Sequence, residues 1–269
     1  MTDPLLGLKA RMKATWMAGD FGEVAKFNQP AADAFVARRG ITGGMRVLDV
    51  ACGSGNLAIP AARAGGRVTG VDIAPNLLEE ARARATREGL AVAFEEGDAE
   101  QLAYGDGAFD LVMSMYGAMF APRPERVASE LVRVCRAGGE IAMANWTARG
   151  FVGQMFKTSS AHVAPPAGIA PPILWGDEAT VRERFRAVGV TAVRVTPVMA
   201  QMRYPFAARE MVEFFRTYFG PTQMAFAALD ASGQDALRQD LERLWAAHNL
   251  STDGGTHIDA EYLEVVATV

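Results

Sequence analysis

Short β-branched segments alternate with helical segments between residues 41 and 146, and this alternation restricts the chain to few folds. The segments predicted as strands are 46–50, 67–71, 91–95, 109–115 and 140–146, with a turn at 138–139. The segments predicted as helices are 56–64, 75–88 and 125–136. Strands that alternate with helices pair in parallel, because the crossover connections are right-handed and place the helices on the sheet. We therefore expect a doubly wound α/β layer over these residues.

Helical segments and two further strands surround this α/β core. Residues 1–40 are predicted to form an N-terminal helical cap, with helices over 5–16 and 30–39 and a break at 19–22. The core follows over 41–146. A lid segment with a helix and a sixth strand spans 147–206, a helical insertion that covers the substrate spans 207–250, and the last strand spans 251–269. Within them, 147–176 is predicted as a loop or loosely helical stretch, 177–188 as a helix capped by Asp177, 191–199 as a strand, 207–219 and 232–248 as helices, and 262–269 as a strand.

The composition excludes several classes of protein. Half of the residues are apolar and 22% are charged, so the 269 residues can bury a sizeable core. No apolar run reaches the roughly 18 residues of a membrane span, and the N-terminal residues lack the pattern of a secretory signal. The net charge of −4, without a Lys/Arg run, argues against a nucleic-acid partner. Because Cys52 and Cys135 cannot form a disulfide network, both are interpreted as reduced thiols of a cytoplasmic protein.

A glycine-containing loop follows the first predicted strand. The loop GSGNLA at 53–58 stands between that strand and a helix, at the carboxyl edge where open α/β sheets bind ligands. It also fits the dinucleotide fingerprint G-x-G-x-x-[GA], and Asp72 follows at the distance of a ribose-binding acid. An NAD(P)-dependent oxidoreductase is therefore one alternative for this chain.

Asp49, four residues before the first glycine of the loop, favours a different cofactor. A dinucleotide places its pyrophosphate at the N-terminus of the following helix, where a carboxylate repels it. S-adenosylmethionine carries no phosphate and brings two positive groups, a sulfonium and an ammonium. Asp72 can accept from the ribose hydroxyls and Asp98 from the adenine amino group, while the Ala99 N–H donates to a ring nitrogen. These acids end successive strands, so they gather on one edge of the sheet.

Motifs in a fixed order carry a resemblance to a known family. They are VLDVACGSG at 47–55, GVDI at 70–73, GDA at 97–99, FDLV at 109–112 and GG at 138–139. In this order and spacing they resemble class I S-adenosylmethionine-dependent methyltransferases, and the chain is similar to the ubiquinone/menaquinone methyltransferase-like group (methyltransferase type 11/25). The resemblance covers about residues 41–146. It implies a Rossmann-like, mostly parallel seven-stranded sheet whose last strand is antiparallel.

The resemblance also implies which residues bind the cofactor. They are Asp49, Ala51, Gly53, Gly55, Asp72, Ile73, Asp98, Ala99 and Met115. Met115 departs from the family pattern, because the quinone enzymes usually carry serine at this position. That departure speaks against a quinone as the methyl acceptor.

Aromatic and methionine residues cluster outside these motifs, in segments that the cofactor does not need. Those predicted to line an acceptor pocket are Trp16, Tyr116, Met119, Trp146, Phe151, Met155, Trp175 and Tyr204. The segments 5–22, 147–176 and 200–250 are expected to form its cover, with Gly19, Gly22, Gly150, Gly153 and Gly168 as hinges. The alternative is that these side chains fill a helical core or a dimer interface. A lining with few charges predicts a small acceptor that is largely apolar or aromatic.

No catalytic residue can be named from the sequence. His162, His248 and His257 are the candidate bases, although such residues are more often structural, and His162 is favoured by its place in the lid segment. No metal-ligand motif occurs, so no metal is expected. The prediction is a cytoplasmic methyltransferase of the EC 2.1.1 class that converts S-adenosylmethionine to S-adenosylhomocysteine, with a homodimer as a further expectation. A non-catalytic S-adenosylmethionine-binding protein is the second alternative.

Overall fold

One sheet forms the centre of the protein. The computed structural model describes residues 6–165 and 169–269, without the side chain of Leu6. In this part of the chain the strands are β1 (Arg46–Val50), β2 (Arg67–Asp72), β3 (Val92–Glu96), β4 (Phe109–Met115), β5 (Cys135–Trp146), β6 (Val193–Tyr204) and β7 (Thr256–Thr268). The seven strands are ordered β3-β2-β1-β4-β5-β7-β6. β1 to β5 are parallel, whereas β7 is antiparallel to both β5 and β6. The expected doubly wound, mostly parallel sheet is confirmed.

Helices pack around this sheet. In the described residues they are α1 (Leu6–Met17), α2 (Phe21–Ala25), α3 (Gln29–Ala37), α4 (Ala58–Arg63), α5 (Pro75–Arg87), α6 (Pro124–Val134), α7 (Phe151–His162), α8 (Glu178–Ala187), α9 (Met211–Tyr218), α10 (Gly220–Ala227) and α11 (Ala231–His248). Asp177 caps α8 as expected, because its Oδ1 accepts from the Thr180 N–H at 2.9 Å. None of these helices is long and apolar enough to cross a bilayer.

The central strands are apolar because both of their faces are covered. Val47 and Leu48 in β1 and Val112 and Met113 in β4 are fully buried. A strand covered on both faces reads as a continuous apolar run rather than as an alternating one. This burial explains why the observed bounds of β1 and β4 equal the predicted ranges 46–50 and 109–115.

The turn expected at 138–139 is wrong, because these glycines lie within β5. The pairing of β4 with β5 shifts register between Phe109 and Leu111, so the extra residues of β5 form a bulge. Gly138 takes a φ of +70° there, a left-handed conformation that glycine adopts without strain. The helix expected over 125–136 accordingly ends at Val134.

The segment 147–176 contains a regular helix where a loop or loosely helical stretch was expected. The Phe151 ring at the start of α7 lies 4.5 Å from the Trp245 ring of α11, measured between centroids. Packing against α11 therefore stabilises a segment whose glycines and prolines indicated irregular structure. Gly168, one of the expected hinges, lies outside the described residues, as does Leu5 at the start of the first predicted helix.

Two further helices were not expected from the sequence. α2 begins at Phe21, inside the predicted break at 19–22, and α10 follows α9 directly. Gly19, with a φ of +73°, separates α1 from α2. β6 and β7 are longer than predicted because they pair with each other from Val193 to Tyr204. The chain between these two strands forms α9, α10 and α11.

Candidate cofactor and acceptor site

A cleft of about 1100 Å³ opens at the carboxyl edge of the sheet. Of the residues expected to bind the cofactor, those that line it are Asp49, Ala51, Gly53, Asp72, Ile73, Asp98, Ala99 and Met115. Gly55 does not line the cleft, and its contact with the cofactor stays a prediction. A Cβ at Gly55 would lie 3.4 Å from Ala81 and from Phe94, which shows that this glycine allows α5 and β3 to pack closely behind the loop.

The Asp72 carboxylate holds the glycine loop from the end of β2. Its Oδ2 accepts from the Gly53 N–H and its Oδ1 accepts from the Ala74 N–H, both at 2.8 Å. Burial raises the pKa of Asp72 above its ordinary value, although the backbone N–H groups of Ala74, Gly53 and Ile73 act in the opposite direction. A carboxylate offers about four lone-pair sites, so Asp72 can accept further hydrogen bonds from a ligand in the cleft.

Asp49 lies at the N-terminus of α4, almost without exposure to solvent. Its Oδ2 accepts from the Ala58 N–H at 3.0 Å. Burial raises the pKa of Asp49 well above its ordinary value. The carboxylate therefore occupies the position where a dinucleotide would place its pyrophosphate. The sheet also has β7 between β5 and β6, unlike the 3-2-1-4-5-6 order of dinucleotide-binding sheets, so both features speak against an oxidoreductase.

A charged cluster ties α1 to the edge of the cleft at β3. The Lys9 ammonium lies 2.5 Å from Asp98 Oδ2 and 2.5 Å from Glu100 Oε2. The Glu100 side chain is fully buried, and Arg123 Nε donates to it at 2.7 Å. Lys13 of the same helix pairs with Glu96. The sequence indicated Lys9 and Lys13 only as the polar side of an amphipathic helix, since nothing local shows which acids they contact.

The loops after β1 and β4 touch each other beside the cleft in a strained conformation. Ala51 and Tyr116 have φ values of +55° and +61°, in the left-handed region that is uncommon for residues other than glycine. A Cβ at Gly117 would lie 2.4 Å from the Ala51 carbonyl oxygen, so only glycine permits this approach. Such strain persists where the surrounding structure holds it, and it concentrates at functional sites.

A second cavity of about 510 Å³ adjoins the cleft, and we call it the aromatic chamber. Its lining residues are Trp16, Phe21, Val24, Asn28, Tyr116, Phe120, Trp146, Phe151, Val152, Met155, Phe156, Met202, Tyr204, Phe215 and Phe219. Trp16, Phe21, Asn28, Tyr116 and Phe120 line both cavities, and we call these five residues the throat. Within the described part of the chain, no charged side chain lines the chamber.

The residues predicted to line an acceptor pocket divide between the chamber and the core. Those that line the chamber are Trp16, Tyr116, Trp146, Phe151, Met155 and Tyr204. Met119 and Trp175 line neither cavity, so the structure does not bring these two residues together with the other six. Both are buried, and the Trp175 ring packs 6.4 Å from that of Phe185. Apolar character predicts that such side chains are buried, but it does not predict what they pack against.

Part of the chamber lining is not predicted by the sequence. The residues missed are Phe21, Val24, Asn28, Phe120, Val152, Phe156, Met202, Phe215 and Phe219. Phe215 lies in the last turn of α9 and Phe219 directly follows the helix, and a spacing of four residues is typical of side chains on one helix face. The spacing does not show that the face meets α1 and α7, because those elements are distant in sequence.

Two polar atoms adjoin the chamber without a hydrogen-bond partner in the described structure. Tyr116 stacks on Trp146, with ring centroids 3.7 Å apart and 13° between the planes, and its hydroxyl is buried and unpartnered. Burial raises the pKa of Tyr116 well above its ordinary value, so the group stays a phenol. The Oδ1 atom of Asn28 in the throat is likewise buried and unpartnered.

The histidines considered as bases line neither cavity. Nε2 of His162 lies 2.7 Å from Asp240 Oδ2. Nε2 of His248 lies 3.2 Å from Gln154 Oε1, and Nε2 of His257 lies 3.2 Å from Asp259 Oδ1. Cys52 lines the cleft, but burial raises the pKa of its thiol well above the ordinary value, so it is not a thiolate nucleophile. Residues 6–165 and 169–269 contain no group of His, Cys, Asp or Glu side chains that could hold a metal ion.

Known proteins are similar to this chain in sequence and in fold. Residues 47–139 match a family described as a methyltransferase domain. The chain is 36% identical over 262 residues to an uncharacterized protein of Mycobacterium tuberculosis, covering 97% of this chain and 94% of that protein. It is 37% identical over 144 residues to a phosphatidylethanolamine N-methyltransferase of Cereibacter sphaeroides, covering 52% of this chain and 68% of that enzyme. The fold is similar to that of the YcgJ protein of Bacillus subtilis, with a TM-score of 0.62, 16% identity and coverage of 88% and 96%.

Proposed function

The chain belongs to the class I S-adenosylmethionine-dependent methyltransferases, with S-adenosylmethionine as its cofactor, and we propose that it methylates a small, largely apolar or aromatic molecule in the aromatic chamber. The observation that carries the proposal is the chamber, which adjoins the cofactor cleft at the throat and has no charged lining residue in the described chain. Apolar pockets bind apolar ligands, and their few polar groups orient the ligand.

The residues of the cleft fit the cofactor. Asp72 keeps lone pairs free beside its two bonds to backbone N–H groups, and these suit the ribose hydroxyls. Asp98 and Ala99 suit the adenine at the end of the cleft near β3. Asp49 positions the glycine loop through its hydrogen bond from the Ala58 N–H. The aromatic faces of the throat suit a positively charged sulfur.

The protein contributes to the reaction by aligning the cofactor with the acceptor and by excluding water. When bound, S-adenosylmethionine supplies a methyl group on a positively charged sulfur, which keeps the bonding electron pair when the methyl group leaves for the acceptor. Trp16, Phe21 and Phe120 exclude water from the throat, and the chamber holds the acceptor on its far side. Aligning the two reactants and excluding bulk water lowers the barrier. A hydroxyl or N–H acceptor loses its proton as the bond to the methyl carbon forms, and this proton leaves to solvent through the cleft, which opens at the sheet edge.

A lipid amine is the competing class of acceptor, because one relative is a phosphatidylethanolamine N-methyltransferase. The headgroup of that lipid carries a phosphate, which proteins bind with cations. Among the described residues that line the two cavities, Lys9 is the one cation, and it is ion-paired with Asp98 and Glu100. The lining therefore favours a neutral aromatic acceptor over a phosphate ester.

The proposal is tested by turnover across a panel of acceptors. Purified protein is incubated with S-adenosylmethionine and, separately, 2-naphthol, indole, phosphoethanolamine or phosphatidylethanolamine vesicles, and S-adenosylhomocysteine is measured by mass spectrometry. We expect product with the aromatic acceptors. Turnover with the two phosphate esters alone would contradict the acceptor class. Binding of S-adenosylmethionine without turnover on any acceptor would favour the non-catalytic alternative.

The two cysteines support a cytoplasmic location, which is part of the same proposal. Cys52 and Cys135 are both buried and unpaired. Free thiols persist in the reducing cytoplasm, whereas secreted proteins tend to pair them. Fractionation of the source cells, followed by detection of the protein with an antibody, tests the location.

A further inference from the structure

Asn28 is the one amide side chain of the throat. The other four throat residues present aromatic rings, so they define the shape of the opening and offer few polar contacts. The Oδ1 atom of Asn28 is buried and has no hydrogen-bond partner in the described structure. A buried acceptor without a partner is unfavourable, because it has lost its hydrogen bonds to water. A native structure keeps such an atom for a reason, and a ligand is one reason.

The residues on either side of Asn28 are held firmly by hydrogen bonds. The Ala25 carbonyl accepts from Asn56 Nδ2 at 2.7 Å, and Gln29 Nε2 donates to the Asn56 carbonyl at 3.1 Å. Arg84 Nη2 donates to Gln29 Oε1 at 2.8 Å. The backbone that carries Asn28 is therefore fixed to the glycine loop and to α5. The point from which the amide extends is therefore in place before a ligand arrives, which lowers the entropic cost of binding.

The position of Asn28 and its neutral amide indicate which chemical group it binds. Asn28 lines both cavities, so the acceptor group next to it is the group nearest the cofactor. A neutral amide accepts one hydrogen bond at Oδ1 and donates at Nδ2, which complements a hydroxyl group that both donates and accepts. The rest of the chamber lining is apolar apart from Tyr116 and Tyr204, and this suits an aromatic ring.

Resting on the proposed function, we propose that Asn28 is a specificity-determining residue whose amide binds the hydroxyl group of a hydroxylated aromatic acceptor in the throat. The hydroxyl oxygen is then the atom presented to the cofactor cleft, and the ring lies in the aromatic chamber. This identifies the substrate class as neutral aromatic alcohols or phenols of a size that fits the chamber.

The test measures discrimination between two ligands that differ by one hydroxyl group. Dissociation constants of 2-naphthol and naphthalene are measured by equilibrium dialysis, with and without saturating S-adenosylhomocysteine. For the wild-type protein we expect 2-naphthol to bind about tenfold more tightly, as one hydrogen bond to a buried partner allows. In Asn28→Leu the ratio falls to about one, and naphthalene binds at least as well as before.

Matched variants separate this role from a general effect on the fold. The Oδ1 atom of Asn76 on α5 is also buried and unpartnered, but Asn76 lines neither cavity. Asn76→Leu removes the same kind of group and keeps the tenfold preference. Asn28→Ala is the second variant should Asn28→Leu fail to fold, as judged by thermal unfolding, and it also loses the preference. Tyr116→Phe keeps the preference, since the proposal assigns the hydroxyl contact to Asn28.

Several outcomes overturn the inference. They are a wild-type ratio near one, an absence of binding by both ligands, a preference that survives in the Asn28 variants, and a preference lost in Tyr116→Phe alone. Tighter binding of the cationic probe benzyltrimethylammonium than of 2-naphthol also overturns it, because the aromatic walls would then hold a cation. The proposed function fails separately, through a lack of turnover with every acceptor while S-adenosylhomocysteine still binds.

Discussion

The Lys9 ammonium on α1 lies 2.5 Å from Oδ2 of Asp98, the carboxylate that the proposed function assigns to the adenine of the cofactor. The same nitrogen lies 2.5 Å from Oε2 of the buried Glu100. These two ion pairs therefore hold the N-terminal helix at the edge of the cleft. A carboxylate offers about four lone-pair sites, so on this assignment Lys9 and the adenine amino group would share Asp98, and a bound cofactor would help to hold α1 in place.

Lys9→Met should loosen α1 while keeping the aliphatic part of the side chain. Loss of hydrogen bonds to two carboxylates costs about 1–3 kcal/mol, so the amides of 6–17 should exchange about 5- to 150-fold faster. Hydrogen exchange followed by mass spectrometry measures this change. Lys157→Met, at an exposed position on α7, is the control and should leave exchange in α1 as it is. Equal exchange in Lys9→Met and in the wild type would show that the ion pair does not hold the helix.

S-adenosylhomocysteine should protect the segments that cover the cavities. Trp16 and Phe21 come from the N-terminal segment and Phe151 and Met155 from α7, and all of them line the chamber. A bound ligand stabilises the closed arrangement, so amides in 6–22 and 147–165 should exchange more slowly. Exchange with and without the ligand is compared at two protein concentrations. If protection depends on concentration and not on the ligand, these segments form an interface between copies of the chain instead.

Asp72→Ala should weaken cofactor binding strongly. Each lost charge-assisted hydrogen bond to a ribose hydroxyl costs on the order of 1.5–3 kcal/mol, which is at least a tenfold loss of affinity. Titration calorimetry with S-adenosylhomocysteine measures it. Stability also falls, because the Gly53 and Ala74 N–H groups lose their acceptor.

A control variant distinguishes lost affinity from lost stability. Asp177→Ala removes the N-cap of α8 and should cost about 0.5–2 kcal/mol of stability without changing affinity for S-adenosylhomocysteine. Wild-type affinity in Asp72→Ala would show that the ribose assignment is wrong.

The buried Asp49 should make the stability of the protein depend on pH. Its pKa in the folded protein lies well above the ordinary value of 3.8, mainly because of burial. The folded state therefore binds a proton more tightly than the unfolded state, and the unfavourable burial of the charge is relieved as pH falls. The stability of the folded protein therefore rises as pH falls from the raised folded-state pKa of Asp49 to the ordinary value of 3.8.

Asp49→Asn isolates this effect, because asparagine does not titrate and its Oδ1 can still accept from the Ala58 N–H. Urea unfolding at pH 7 and at lower pH should show the wild type gaining stability relative to the variant as pH falls. A difference in unfolding free energy that is constant over this range would mean that Asp49 titrates as an ordinary carboxyl group.

Chelation should not affect activity. The described structure brings together no group of side chains that could hold a metal ion, and the proposed transfer depends on alignment. Turnover measured before and after dialysis against EDTA should be equal. Loss of turnover that one added metal restores would contradict this prediction.

The sheet and the acids at its edge were predictable because their signals are local. A strand covered on both faces is a run of apolar residues, and the bounds of β1 and β4 followed from such runs. Asp49, Asp72 and Asp98 lie at or just after strand ends, and parallel strands bring their carboxyl ends to one edge. The end of β6 and the regular helix α7 were not predicted, because pairing with β7 and packing on α11 stabilise them beyond what their residues favour alone.

The sequence predicted that an apolar, aromatic pocket exists, but it did not predict all of the residues that line it. Met119 and Phe120 are adjacent apolar residues, yet Phe120 lines both cavities and Met119 packs in the core. Which of two neighbours faces a cavity depends on the local backbone, here a short 3₁₀ turn over Ala118–Phe120. Asn28 carried no motif, because its significance comes from the aromatic residues around it.

The amino-acid sequence by itself determined the alternation of strands and helices between residues 41 and 146, the glycine loop and the acids that meet at the sheet edge. Each of these depends on residues that are close in the chain or on the alternation of apolar segments. Only the tertiary structure decided which aromatic side chains face one another, that Lys9 reaches Asp98 and that Asn28 lies in the throat. The physical reason is that such contacts join segments far apart in sequence, and their geometry follows from how whole elements pack.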